Sequence, residues 1–118
     1  MEVIDWKDGM ERVQDDSDLF LELTDIFRED FPGKYAALQK AVKGNDRREF
    51  QTIIHGIKGA TGNISAAQMH ANCVELDAQA RNEDILTLAP GVDLLGRQFD
   101  AFVAEANRLK DKHSRGEL

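Results

Sequence analysis

A chain of 118 residues that is 42% hydrophobic is long enough to bury a core without disulfides or a structural metal, and it reads as a single domain over residues 1–118. Its net charge of −7 leaves no basic surplus to neutralise phosphates, which argues against nucleic acid as a partner. No apolar run approaches the roughly 20 residues of a membrane span, no basic and apolar leader opens the chain, and the lone Cys73 has no partner for an internal disulfide, so a cytoplasmic protein without membrane association is expected.

Nowhere do β-branched residues alternate with polar ones, and the long segments carry apolar spacings of three and four, so the chain is predicted to be all-α. A short first helix starts after Asp5, with Trp6, Met10 and Val13 on one face and Trp6 pinning it over one end of the fold. A second is predicted from Ser17, capped by Ser17 or Asp16, through Leu19, Phe20, Leu23, Ile26 and Phe27 to about Phe31. Pro32 either kinks this helix or opens a new one, and Tyr35, Leu38 and Val42 continue the apolar face to a stop at Gly44.

Asp46 and Glu49 resemble a capping box and open a third long helix. Ser65 and Gln68 form a second such pair, placing a sharp turn near Gly62 to Ile64 and a new helix lined by Met69, Cys73, Leu76 and Ala80. After a polar break at Arg81 to Asp84, a last helix from Pro90 buries Val92, Leu95, Phe99, Phe102, Ala106 and Leu109. The final residues, KDKHSRGEL, read as a fraying end. Short connections between long amphipathic helices predict an antiparallel up-down bundle.

The third helix carries the segment IIHGIKGATGNIS, with three glycines beside a histidine and a lysine. Each interior glycine costs on the order of 1 kcal/mol relative to alanine, so the cluster calls for a helix end or a close approach. On a helical wheel Phe50, Ile53, Ile54, Ile57, Thr61 and Ile64 share the core sector, and His55 lies roughly 155° from its centre, with Arg48, Gln51, Lys58, Gly59 and Gly62 around it. His55 is therefore expected to face water. Gly62 reads as a terminator beside Asn63. Gly59, one turn beyond His55, is where no cap is due, and its missing side chain leaves room for a bulky partner. Lys58 shares the exposed face; a neighbouring cation disfavours the imidazolium and offsets the charge of an arriving phosphoryl group.

His55, Lys58 and Gly59 reproduce an H-x-x-K-G signature, and CVELD at Cys73 to Asp77 looks like a C-x-x-L-E/Q stretch. In these features the chain resembles the histidine-containing phosphotransfer (HPt) domains of two-component phosphorelays. Ser65 departs from the pattern, which commonly has glycine there. The resemblance implies a four-helix bundle with an additional short N-terminal helix. It further implies that His55 accepts a phosphoryl group from a receiver-domain aspartyl phosphate and passes it to another receiver aspartate. Lys58 would stabilise that group, and Gly59, with Gln51, Gly62, Arg81 and Asp77, would form the docking face. Asp77 is acidic and would repel phosphate, so Arg81 is the stronger helper.

On this reading the protein is a phosphocarrier without kinase activity, since GIKGATG lacks both the Walker spacing and a preceding strand. It needs no cofactor of its own, Mg²⁺ being supplied by the receiver, and its partners are receiver domains of response regulators or of a hybrid sensor kinase. The alternative is a non-catalytic bundle that binds a receiver without phosphotransfer. A metal or hydrolytic site is disfavoured, because His55, His70 and His113 are far apart and His70 and His113 read as solvated surface residues. Cys73 reads as a small buried apolar residue, a monomer is preferred, and the start methionine and compact span favour a free-standing protein.

Overall fold

The computed structural model describes residues 1–118 and contains five α-helices: α1 (Trp6–Arg12), α2 (Ser17–Lys43), α3 (Arg47–Asn63), α4 (Ala67–Gln79) and α5 (Ala89–Ser114). Three of them start on an aspartate that accepts a backbone N–H three residues on: Asp5 from Asp8, Asp16 from Leu19 and Asp46 from Glu49, at 3.0 to 3.1 Å. Each such cap stabilises its helix by about 1 kcal/mol. Asp16, not Ser17, therefore caps α2. The Asp46 box is half made, because the Asp46 N–H bonds to Ala41 O instead of to Glu49.

Helix α2 continues through Pro32, which excludes the new helix that the sequence allowed there. Pro32 sits on the exposed side, and buried Phe27 and Phe31 before it and Leu38 and Val42 after it pack into the core on either side. Gly44 caps this helix as expected, but it stays in the right-handed region and the adjacent Asn45, at φ 49°, takes the left-handed turn.

The four long helices close a ring in which α2 packs on α3, α3 on α4, α4 on α5 and α5 on α2. Cross-links set the directions. Gln51 at the start of α3 meets Ala80 at the end of α4, Asn72 of α4 bonds to Gly91 O and the Gln98 side chain of α5, and Asp25 near the start of α2 pairs with Lys110 near the end of α5. All four neighbours are thus antiparallel, an up-down bundle. Its core is a single cluster of 24 buried apolar residues to which every helix contributes except α1, whose Trp6 and Met10 pack against it from one end. Phe31 stacks on Phe99 with ring centroids 4.3 Å apart, and Phe27 meets Phe102 edge-on at 5.2 Å. No helix is long and apolar enough to cross a membrane.

The structure departs from the sequence expectation in three further places. The Ser65–Gln68 box does not form: Ser65 lies in the left-handed region at φ 55°, its hydroxyl donates to Asp8 Oδ2 at 2.7 Å, and the Gln68 amide bonds to Met1 O. The N-terminal segment has recruited both side chains, and α4 starts at Ala67 with no side-chain cap. The positive φ also accounts for glycine being common here in the resembling proteins. A turn of 3₁₀-helix at Ile85–Leu88, burying Ile85 and Leu88, leads into α5, which starts at Ala89 with Pro90 in its first turn. Finally, α5 runs to Ser114 instead of fraying, tied to α2 by Lys110–Asp25 and by His113 Nε2, 2.6 Å from Asp18 Oδ1.

Two predictions follow from the seat of α1. Trp6 meets Phe20 edge-on, and a Cβ at Gly9 would lie 2.5 Å from the ring of the fully buried Phe20. Gly9→Ala is expected to overpack this contact and lower stability by about 1–3 kcal/mol in urea unfolding. Asp8 is held below its usual carboxyl value of 3.8 by hydrogen bonds from Arg12 and then Ser65. A depressed carboxylate contributes stability above its unfolded value and loses it as pH falls through the folded value. The stability gap between wild type and Asp8→Asn is therefore expected at neutral pH and to close on acidification.

Candidate functional site

Helix α3 is two-faced. Phe50, Ile54, Ile57 and Thr61 are buried, and the Thr61 hydroxyl returns its hydrogen bond to Ile57 O at 2.9 Å. Opposite them the His55 side chain is 75% exposed, as the wheel required. Nothing lies within 4 Å of where a Cβ would stand at Gly56 or Gly59, so neither glycine is demanded by packing, and the surface beside the imidazole is bare backbone.

Asp77 of α4 is the centre of the site. Only 6% exposed, it presents one oxygen, Oδ2, to three groups: Lys58 Nζ at 2.5 Å, Arg81 NH2 at 3.9 Å and His55 Nδ1 at 4.0 Å. The first is a charge-assisted hydrogen bond, and the other two are electrostatic neighbours. Lys58 is consequently not the free cation the sequence suggested. Its ammonium is matched by a carboxylate, and the charge beside His55 is that of a pair. Asp77, nearly buried, lines the depression beside His55 instead of standing on an exposed face. The imidazole turns Nδ1 inward to the carboxylate, which leaves Nε2 on the far side of the ring.

Gln51, Thr52, His55, Asp77 and Arg81 line an open depression of about 380 Å³. Gln51 donates to Ala80 O at 3.2 Å, and Arg47 bonds to Ala80 O and, at 2.7 Å, to Glu83 O, so both cap the C-terminal end of α4. Arg47 has no sequence signal for this role, since its acceptors are backbone carbonyls more than 30 residues away. Arg81 is the exposed cation of the site.

Gly62 and His70 both differ from expectation. His70 is half-buried, not a solvated surface residue; its Nδ1 donates to Lys58 O at 3.0 Å, and its ring covers Gly62 so closely that a Cβ there would lie 3.1 Å from it. Gly62 is thus a seat for this ring. Cys73, in the α4 turn before Asp77, is buried, and burial pushes its thiol up to about 12, leaving it protonated and inert. Nowhere do three or more His, Cys, Asp or Glu side chains converge to hold a metal ion.

An exposed histidine backed by an inward carboxylate and flanked by open glycines, on an antiparallel pair of a helical bundle, agrees with the match of a family model, the Hpt domain, to residues 22–111. The chain belongs to the Hpt domain family. Hpt domains are phosphocarriers of two-component relays and work with receiver domains. Among solved structures, the HPT domain of the Hpt sensor hybrid histidine kinase from Shewanella matches with a TM-score of 0.81, 18% identity, and coverage of 93% of this chain and 95% of that one. At this identity the likeness establishes the bundle. No curated protein matches in sequence.

The glycines of this Hpt domain separate by role. Gly56→Ala and Gly59→Ala are each expected to raise stability by about 0.5–1 kcal/mol, because open helix positions gain propensity. Gly62→Ala is expected to lower it by displacing His70, and thermal unfolding of the three variants checks the order.

Proposed function

We propose that this Hpt domain carries a phosphoryl group on His55 Nε2 between the aspartates of receiver domains. The observation that supports it most directly is the orientation of the ring: 75% exposed, with Nδ1 toward Asp77 and Nε2 away from the protein. The Nε2 lone pair attacks phosphorus, the P–O bond of the aspartyl phosphate breaks, and the receiver carboxylate leaves with its electron pair. Passing the group on is the reverse at a second receiver.

The chain contributes position more than chemistry. In phosphoryl transfer a nucleophile held in line accounts for much of the acceleration. His55 is fixed by a helix whose opposite face is fully packed, and bare Gly59 and Gly56 let a receiver pocket descend on the ring. Arg81, the exposed cation of the site, supplies positive charge near the transferred group. On this reading Mg²⁺ and the acidic pocket belong to the receiver, and the domain is a carrier with no kinase activity. The docking face comprises Gly59, Gly56 and Arg81, with Gln51 at its edge.

The test is incubation with a receiver pre-loaded at its aspartate. Wild type is expected to take acid-labile, base-stable label and His55→Gln none. Gly59→Gln, folded but obstructed, is expected to slow transfer about 100-fold, the scale of an ångström-sized misplacement, while His55 stays reactive to the small donor phosphoramidate. Receiver binding without label on wild type would instead leave a docking module.

A further inference from the structure

The geometry points to a role for Asp77 that rests on the proposed carrier function of His55. We propose that Asp77 is a positioning residue that poises phosphorylated His55 to give its phosphoryl group away, by keeping the Lys58 charge from that group and by holding a proton at His55 Nδ1.

A phosphocarrier is normally served by cations that stabilise the phosphoryl dianion. Here the nearest lysine is engaged, its ammonium 2.5 Å from Asp77 Oδ2, and that carboxylate is nearly buried, so solvent screens the pair poorly. The groups facing Asp77 can be named in full. From α3 they are Lys58 and His55; from α4 itself they are Arg81, whose side chain is 68% exposed and turned largely to water, and the protonated thiol of Cys73. Lys58 is thus the one close counter-charge. With it held inward, a phosphoryl group on Nε2 meets a neutralised pair where a free ammonium would have bound it.

The second effect concerns the leaving group. Of the two neutral tautomers, the one with its N–H at Nδ1 points that donor toward the Asp77 carboxylate 4.0 Å away. When a receiver aspartate attacks phosphorus, the P–Nε2 bond breaks and its electron pair returns to Nε2. With the proton already on Nδ1, the departing imidazole leaves neutral and no further proton transfer is needed. The first effect raises the energy of phosphohistidine relative to histidine, and the second eases its breakdown by letting the imidazole depart neutral. A glutamine at this position, as in C-x-x-L-Q, would carry no charge to neutralise Lys58. In this chain the aspartate biases net flow from His55 to the next receiver.

The test needs no receiver. Phosphoramidate transfers its phosphoryl group to an exposed imidazole, Nε2 attacking phosphorus and ammonia leaving, and His55→Gln identifies the His55 signal in ³¹P spectra. In Asp77→Asn, whose amide still accepts a hydrogen bond from Lys58 and whose fold is checked by circular dichroism, the phosphoryl titration midpoint is expected to fall by about one pH unit and label loss to slow several-fold. Asp77→Glu is expected to stay near wild type, and Lys58→Gln added to Asp77→Asn to reverse most of the fall. A midpoint unmoved in Asp77→Asn, faster loss of label there, or a fall undiminished in the double variant would each overturn the proposal. Should the variants show these shifts while wild type takes no label from any receiver, the carrier function alone would fail.

Discussion

The contact on which the site depends is the ion pair between Lys58 and Asp77 across the α3–α4 seam. A carboxylate almost without solvent exposure is tolerable only when matched, because a buried charge left unpaired costs several kcal/mol. Lys58 meets that requirement from the neighbouring helix, and in doing so fixes the rotation and height of α3 against α4. The rest of the seam agrees with that register: His70 bonds to the Lys58 carbonyl and lies over Gly62, and Gln51 and Arg47 close the far end on Ala80. The pair sets both a structural register and the electrical surroundings of His55.

The proposed carrier function places two opposing demands on His55. A group that must be reached by the pockets of larger partners has to be exposed, and an exposed side chain is ordinarily loose. The structure reconciles these demands by mounting His55 on a helix whose other face is locked into the core by Phe50, Ile54 and Ile57, and by leaving bare backbone at Gly56 and Gly59 beside the ring. Rigidity resides in the backbone and access in what is missing from it. The glycines at 56 and 59 are unfavourable for the helix, and no packing contact requires them; on the proposed function they leave room for a partner.

The N-terminal segment shows how remote parts reach the same seam. Asp8 accepts from the Ser65 hydroxyl, Asp5 N–H bonds to Ser65 O, and Gln68 bonds to Met1 O, so the turn joining α3 to α4 is held by residues from the start of the chain. Ser65 keeps an unfavourable left-handed conformation because these bonds compensate for it. A purely local reading gives this serine to the cap of α4, which shows how tertiary contacts override a capping signal.

What the sequence alone determined was periodic. Apolar spacing placed the helices, the core face of α3 and the outward direction of His55, because a helix repeats every 3.6 residues whatever surrounds it. The H-x-x-K-G signature and the CVELD stretch were legible for the same reason: each lies within a turn or two of one helix. Only the tertiary structure decided what crosses between helices. Lys58 and Asp77 are 19 residues apart, Gly62 and His70 belong to different helices, Ser65 answers to Asp8, and Pro32 passes through α2 because the core on either side of it prevails over a local preference. Such pairings rest on how antiparallel helices come to face one another, a distance that no local pattern encodes.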